Sequence, residues 1–130
     1  MPSEEYLVLD QRHQAGDPEA AQAIIALADR GDADALFKAA EFRLRGIGGP
    51  INVKATIDLI NRAAAKGHVE ARRAQAYFVA AGFGTRADPG RARKMLEKLA
   101  KEDRFAAVQL AFLNHVNCDS RVNTAQRQLL

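Results

Sequence analysis

The amino-acid sequence predicts an all-α fold, a solenoid of stacked antiparallel helix pairs. Three observations carry that reading. Alanine supplies 26 of the 130 residues and aromatics only 6%; alanine is the best helix former, while strands favour β-branched and aromatic side chains, so an all-β domain is excluded. Glycines stand at the ends of helically periodic stretches rather than inside them, where a left-handed residue closes the last turn. And the chain aligns with itself, without a gap, at a shift of 36 residues.

The elements follow in order. Residues 3–30 read as a shortened helix pair. Gly16 stops its first helix, and Asp17-Pro18 starts the second, with Asp as N-cap and Pro at the first helical position. Ala20, Ile24 and Ala28 mark the inner face, and Gly31 ends the pair. Asp32 and Asp34 then lie in a turn with N-cap character. The next helix carries Ala35, Ala40 and Phe42 and ends at Gly46-Ile47-Gly48-Gly49, where two glycines spaced by two let the chain reverse without side-chain clash. Over 55–66, Ile57, Ile60, Ala63 and Ala64 share a face with Leu59 beside them, and Gly67 stops the helix. Ala71, Ala76 and Phe78 repeat the first-helix pattern before Gly82-Phe83-Gly84. Asp88-Pro89 is again a helix start, and Ala92, Met95, Leu96, Leu99 and Ala100 share a face over 91–101; Gly90 is read with the other glycines as a stop. One further first helix fits 104–116, with Phe105, Val108, Ala111 and Phe112 inward.

The repeat is carried by identities at matching positions. Gly31, Ala35, Ala40, Phe42, Gly46 and Gly48 fall on Gly67, Ala71, Ala76, Phe78, Gly82 and Gly84. Asn52, Thr56, Leu59, Ile60 and Ala64 fall on Asp88, Ala92, Met95, Leu96 and Ala100. Small residues at Ala40, Ala76, Ala64 and Ala100 are expected where helices approach closely. Phe42, Phe78, Ile60 and Leu96 are expected to fill the space between neighbouring pairs. One pair cannot bury its own apolar face, so stacked neighbours make a continuous core. Residues 1–117 are therefore read as a solenoid: a short copy at 3–30, full copies at 31–66 and 67–102, and a partial copy from 103. Residues 118–130 are read as a partial repeat or a linker.

This pattern resembles the Sel1-like repeat, a relative of the tetratricopeptide repeat with a unit of about 36 residues. Ala35, Ala40, Gly46, Gly48, Asn52, Leu59, Ile60, Ala63, Ala64 and Gly67 carry it in one copy; Ala71, Ala76, Gly82, Gly84, Asp88, Arg91-Ala92, Met95, Leu96, Ala100 and Asp103 carry it in the next. It covers about 17–117. The family's Leu-Gly step is here Ala39-Ala40 and Gln75-Ala76, its tyrosine position holds Arg43 and Val79, and its second-helix aromatics are aliphatic. Cys118 is the one cysteine, which excludes the cysteine-paired secreted branch. The resemblance implies a right-handed α-α superhelix that binds a protein or peptide partner on the concave face lined by the first helices. The residues expected there are Phe37, Lys38, Glu41 and Arg45, then Arg73 and Tyr77, then Gln109 and Leu110; Tyr and Arg are enriched at binding hot spots.

Charge and composition exclude other classes. No apolar run reaches the roughly 20 residues of a membrane span, and the acidic start Met1-Pro2-Ser3-Glu4-Glu5 lacks signal-peptide order, so a cytoplasmic protein is expected; the resemblance implies a bacterial one. The net charge of +3 hides a gradient: residues 1–35 carry −6 and residues 71–104 carry +5. The basic stretch keeps a nucleic-acid-associated helical repeat open as an alternative, although it lacks the interleaved aromatics that stack on bases. Asn117-Cys118-Asp119-Ser120 lacks the Gly-x-Gly, and Leu129-Leu130 gives an apolar end. A further expectation is therefore that these residues lead a longer chain, with a C-terminal domain such as a 2-oxoglutarate/iron dioxygenase of the prolyl-hydroxylase type as one arrangement the resemblance allows.

No catalytic, cofactor or metal residues are expected within residues 1–130. His13, His68 and His115 fall in three separate elements, and a lone cysteine cannot build a zinc site that needs two thiolates. His115 and Cys118 lack a third orienting group for thiolate chemistry. The Gly-x-Gly loops follow helices, whereas a phosphate-binding Gly-x-Gly-x-x-Gly follows a strand.

Overall fold

The computed structural model describes residues 2–111. Six helices follow one another: α1 (Glu4–Gln14), α2 (Ala20–Asp29), α3 (Ala33–Arg45), α4 (Val53–Ala65), α5 (Val69–Ala81) and α6 (Pro89–Ala100). Residues 104–111 are also helical, and no strand occurs among the described residues. The chain divides into two compact units, residues 1–75 and 76–130.

In the first unit, consecutive helices pack on one another, α1 on α2, α2 on α3 and α3 on α4. Their core holds Leu9, Ile24, Leu27, Leu36, Phe42 and Ala63. The helices start where side chains can take up free N–H groups. Ser3 accepts from the Tyr6 N–H, Asp32 from Ala35 and Asn52 from Ala55, the positions an N-cap serves. In the second unit Asp88 caps α6, accepting from the Arg91 N–H, with Pro89 in the first turn. Its core holds Ala76, Leu96, Leu99 and Ala106, with Met95, Ala100 and Leu110 packed against them.

The two glycine loops close in the same way. Ile47 N–H reaches back to the Phe42 carbonyl and Asn52 N–H to that of Arg43; Phe83 N–H bonds Phe78 and Asp88 N–H bonds Val79, all at 2.9 Å. Gly46 ends α3 at φ 76°, and Gly82 stands at φ 83°, the left-handed region that a helix-closing turn requires.

Several sequence expectations are corrected. α2 begins at Ala20, not at Pro18: the Asp17 carbonyl accepts from the Ala20 N–H at 3.3 Å and its carboxylate from Glu19 N–H at 2.9 Å, so a separate turn precedes the helix. Gly90 lies inside the first turn of α6 and stops nothing. Within the neighbouring pairs near the ends of α4 and α6, Ala63 and Leu99 are fully buried, while Ala64 and Ala100 are half-buried. Likewise Val79 is buried and Phe78 only half-buried. Along 104–111 the inward residue is Ala106, fully buried, whereas Phe105 is 55% and Val108 67% exposed and Ala111 is exposed. Periodicity marks an apolar stripe, but adjacent apolar positions compete for its centre, and the neighbouring helix decides between them. Phe112, His115, Cys118 and the segment 118–130 lie outside the described residues.

Candidate functional site

In the first unit, side chains from the first helices α1, α3 and α5 meet on one surface. The contact begins at the helix starts. Ser3 Oγ, which caps α1, donates to Asp32 Oδ2 at 2.6 Å, and Asp32 caps α3 through its other oxygen, accepting from Ala35 N–H at 3.0 Å. His68 does the same for α5: its Nδ1 accepts from Ala71 N–H at 3.1 Å. That leaves the proton on Nε2, which donates to Asp34 Oδ1 at 3.0 Å. The His68 ring also stacks on Phe37, with centroids 4.9 Å apart and planes tilted 23°.

Further along the same helices a chain of charges runs across the surface. Lys38 Nζ lies 3.7 Å from Asp10 Oδ1 on α1 and 3.2 Å from Glu41 Oε2. Arg45 donates to Glu41 Oε1 at 3.2 Å. The Lys38 ammonium also stands 5.9 Å from the centre of the Phe42 ring, and the His13 ring lies 4.9 Å from it, centre to centre. Tyr6 sits beside this chain. Burial first, and then the charges of Asp10, Asp34, Glu41 and Glu70, hold its hydroxyl well above the ordinary tyrosine range. Acidic groups from three helices therefore gather around one phenol, with Lys38 set among them.

The predicted partner-contacting residues divide between the units. Phe37, Lys38, Glu41, Arg45 and Arg73 belong to the first. Phe37, Lys38, Glu41 and Arg73 are half-buried and Arg45 is exposed; Phe37 lies against the His68 ring and Lys38 beside Asp10 and Glu41. Tyr77, Gln109 and Leu110 belong to the second unit. Tyr77 is 57% exposed and stacks on Phe83 at 6.4 Å. Tyr77 and Gln109 line a cavity of about 430 Å³ together with Ala76, Ala80, Leu96 and Val108. Gln109 Oε1 is buried there and accepts no hydrogen bond. Leu110 packs on the core beneath it.

Ser3, Tyr6, Asp10 and Asp34 are not among the surface residues that the sequence singles out, and His68 stands there only as one of three scattered histidines. For His68 a signal existed: it stands 36 residues after the N-cap Asp32, so the repeat assigns it the same capping position. For Asp10 and Lys38 there was none, because their pairing exists only once α1 lies beside α3.

Among the described residues no three His, Cys, Asp or Glu side chains come together as a metal site. The first glycine loop is tied to α2, with Gln22 Nε2 donating to the Gly48 carbonyl at 3.1 Å. No helix among the described residues is long and apolar enough to cross a membrane. The arrangement offers ion pairing, hydrogen bonding and aromatic contact, the chemistry of recognition.

The chain matches no family model and no curated protein. It is similar in structure to a Sel1 repeat protein from Oxalobacter formigenes, with a TM-score of 0.70 and 20% sequence identity; the match covers 83% of this chain and 47% of that one. The chain thus spans about half the length of the structure it resembles. It has the fold of a Sel1 repeat protein, an all-α solenoid of antiparallel helix pairs.

Proposed function

We propose that this chain is an interaction scaffold that holds a protein or peptide partner on the surface formed by its first helices. One observation carries the reading: α1, α3 and α5 each contribute charged or aromatic side chains to a single ordered surface, in which Lys38 bridges Asp10 and Glu41 and Phe37 stacks on His68. Half-buried side chains held by their neighbours lose little further freedom on binding, which favours recognition. The repeating unit is taken as 31–66 and 67–102, preceded by the short copy 3–30 and followed by a partial copy from 103. Its support is that α3 and α5 start 36 residues apart, as do α4 and α6. Repeat architectures present extended binding surfaces of this kind.

The test is cross-linking of tagged protein in its own host, followed by mass spectrometry. Wild type and Lys54→Glu, a change at the exposed start of α4, should give the same cross-linked partner. Lys38→Glu combined with Arg73→Glu should lose it while keeping the helical circular dichroism of wild type. An undiminished cross-link in that folded double variant rejects this surface as the binding site.

A further inference from the structure

The second unit holds a cavity that the proposed binding surface does not use. Its volume is about 430 Å³, and its walls come from the α5 alanines Ala76, Ala80 and Ala81, from Leu96 of α6 and from Val108. The alanines leave the space, because they carry nothing beyond Cβ. Tyr77 and Gln109 also line it, and among the described residues no ionised side chain does.

One polar atom in this apolar setting has no partner. Gln109 is half-buried, and its Oε1 is enclosed and accepts no hydrogen bond. An unpaired buried acceptor is costly, and folded proteins hold few of them. At the same cavity Tyr77 stays 57% and Val108 67% exposed. The Tyr77 ring is nonetheless held in place. It stacks on Phe83 with planes 24° apart and meets Phe78 edge-on at 6.2 Å, and Phe78 in turn lies 5.9 Å from Phe83. An aromatic wall fixed in this way needs little further ordering when a ring packs on it.

These features define the occupant. Its body must be apolar and uncharged, since the walls offer no charge to pair with one. It must bring a hydrogen-bond donor for Oε1, which an aliphatic or phenylalanine side chain lacks. It should bury no acceptor of its own: an indole carries one N–H donor and no acceptor, whereas a phenol oxygen brings lone pairs. It must also extend past the cavity to cover Tyr77 and Val108, as a side chain on a peptide does. A cavity of roughly 150 Å³ takes a benzene ring, so this larger one has room for a bicyclic ring and the chain that carries it. We propose that the cavity receives a tryptophan side chain of a peptide, its indole N–H donating to Gln109 Oε1 and its ring packing on Tyr77. The proposal uses no residue of the first-unit surface and stands without it.

The chain contains no tryptophan, so the fluorescence of an indole probe reports binding without background. N-acetyltryptophanamide reproduces a tryptophan residue within a peptide. Its emission should shift to the blue as the protein is titrated in, with a Kd of about 0.1 mM. Its 1-methyl analogue lacks the N–H and should bind about tenfold more weakly. Gln109→Leu removes the acceptor at similar size. It should abolish the difference between the two probes while the thermal midpoint holds or rises, because the unpaired acceptor is gone. Ala80→Leu fills the cavity and should weaken both probes with unchanged circular dichroism. Free indole, which cannot reach past the cavity, should bind more weakly than the amide. Wild type that leaves the amide's emission unchanged at about 1 mM protein overturns the proposal. Equal binding of the amide and its 1-methyl analogue overturns the bond to Gln109, and free indole binding as tightly as the amide overturns the assignment to a peptide.

Discussion

At position 68 one imidazole caps α5 through Nδ1, donates to Asp34 through Nε2 and stacks on Phe37. Removing it leaves the Ala71 N–H without its cap and the Asp34 carboxylate without its donor. His68→Ala should therefore cost about 1–2 kcal/mol, read as a lower urea midpoint at unchanged slope. His68→Asn keeps a capping acceptor and should recover part of the loss; equal losses would mean that the cap contributes nothing. Tyr6 gives a second test at this scale. Its pKa is raised in the folded chain, by burial before charge, while in the unfolded chain it titrates near 10. Below that value the folded and unfolded forms hold the same proton and Tyr6 adds no pH dependence. Above it the unfolded form loses the proton first, so stability falls as pH rises. Tyr6→Phe should flatten this part of the stability–pH curve, and superimposable wild-type and variant curves above pH 10 would refute the assignment. The Tyr6 environment was not legible in the sequence, since Asp34 and Glu41 from α3 and Glu70 from α5 act on it beside Asp10 of its own helix, and no local pattern encodes which helices lie next to α1.

At the scale of the element, the glycine loops were legible because backbone geometry leaves few choices. Gly46 and Gly82 follow helices 36 residues apart, take positive φ and admit the same closing hydrogen bonds. The second-helix inner faces were legible in the period, but it does not choose within the Ala63-Ala64 and Leu99-Ala100 pairs: the close approach expected at Ala64 and Ala100 falls at Ala63 and Leu99, which packing buries fully. Two glycines separate strain from crowding. Gly67 stands at φ 85° with nothing within 4 Å of an added Cβ, whereas at Gly82, φ 83°, a Cβ would meet Ala87 atoms at 3.1 Å. Gly67→Ala should then cost about 1 kcal/mol, the left-handed penalty alone. Gly82→Ala should cost about 2 kcal/mol or more, since crowding adds to the same penalty. Equal thermal midpoints for the two variants would show that the Gly82–Ala87 approach relaxes freely.

At the scale of the whole molecule, the chain holds two compact units with separate core clusters, one around Ile24, Leu36 and Phe42 and one around Leu96, Leu99 and Ala106. The sequence showed the repetition that makes such clusters, but a period of 36 treats every copy alike and so cannot say where one cluster ends. Repeat architectures draw their stability from each unit and its immediate neighbours, so damage to one core should stay local. Leu99 is fully buried, and Leu99→Ala should remove about 2–5 kcal/mol from the second core. Hydrogen exchange read by mass spectrometry should then show α6 and residues 104–111 losing protection while α2 and α3 keep theirs. Leu36→Ala, at an equally buried position in the first core, should produce the opposite map. A loss of protection spread evenly over all six helices in either variant would show one cooperative folding unit in place of two, because amides that open only by global unfolding all report the same free energy.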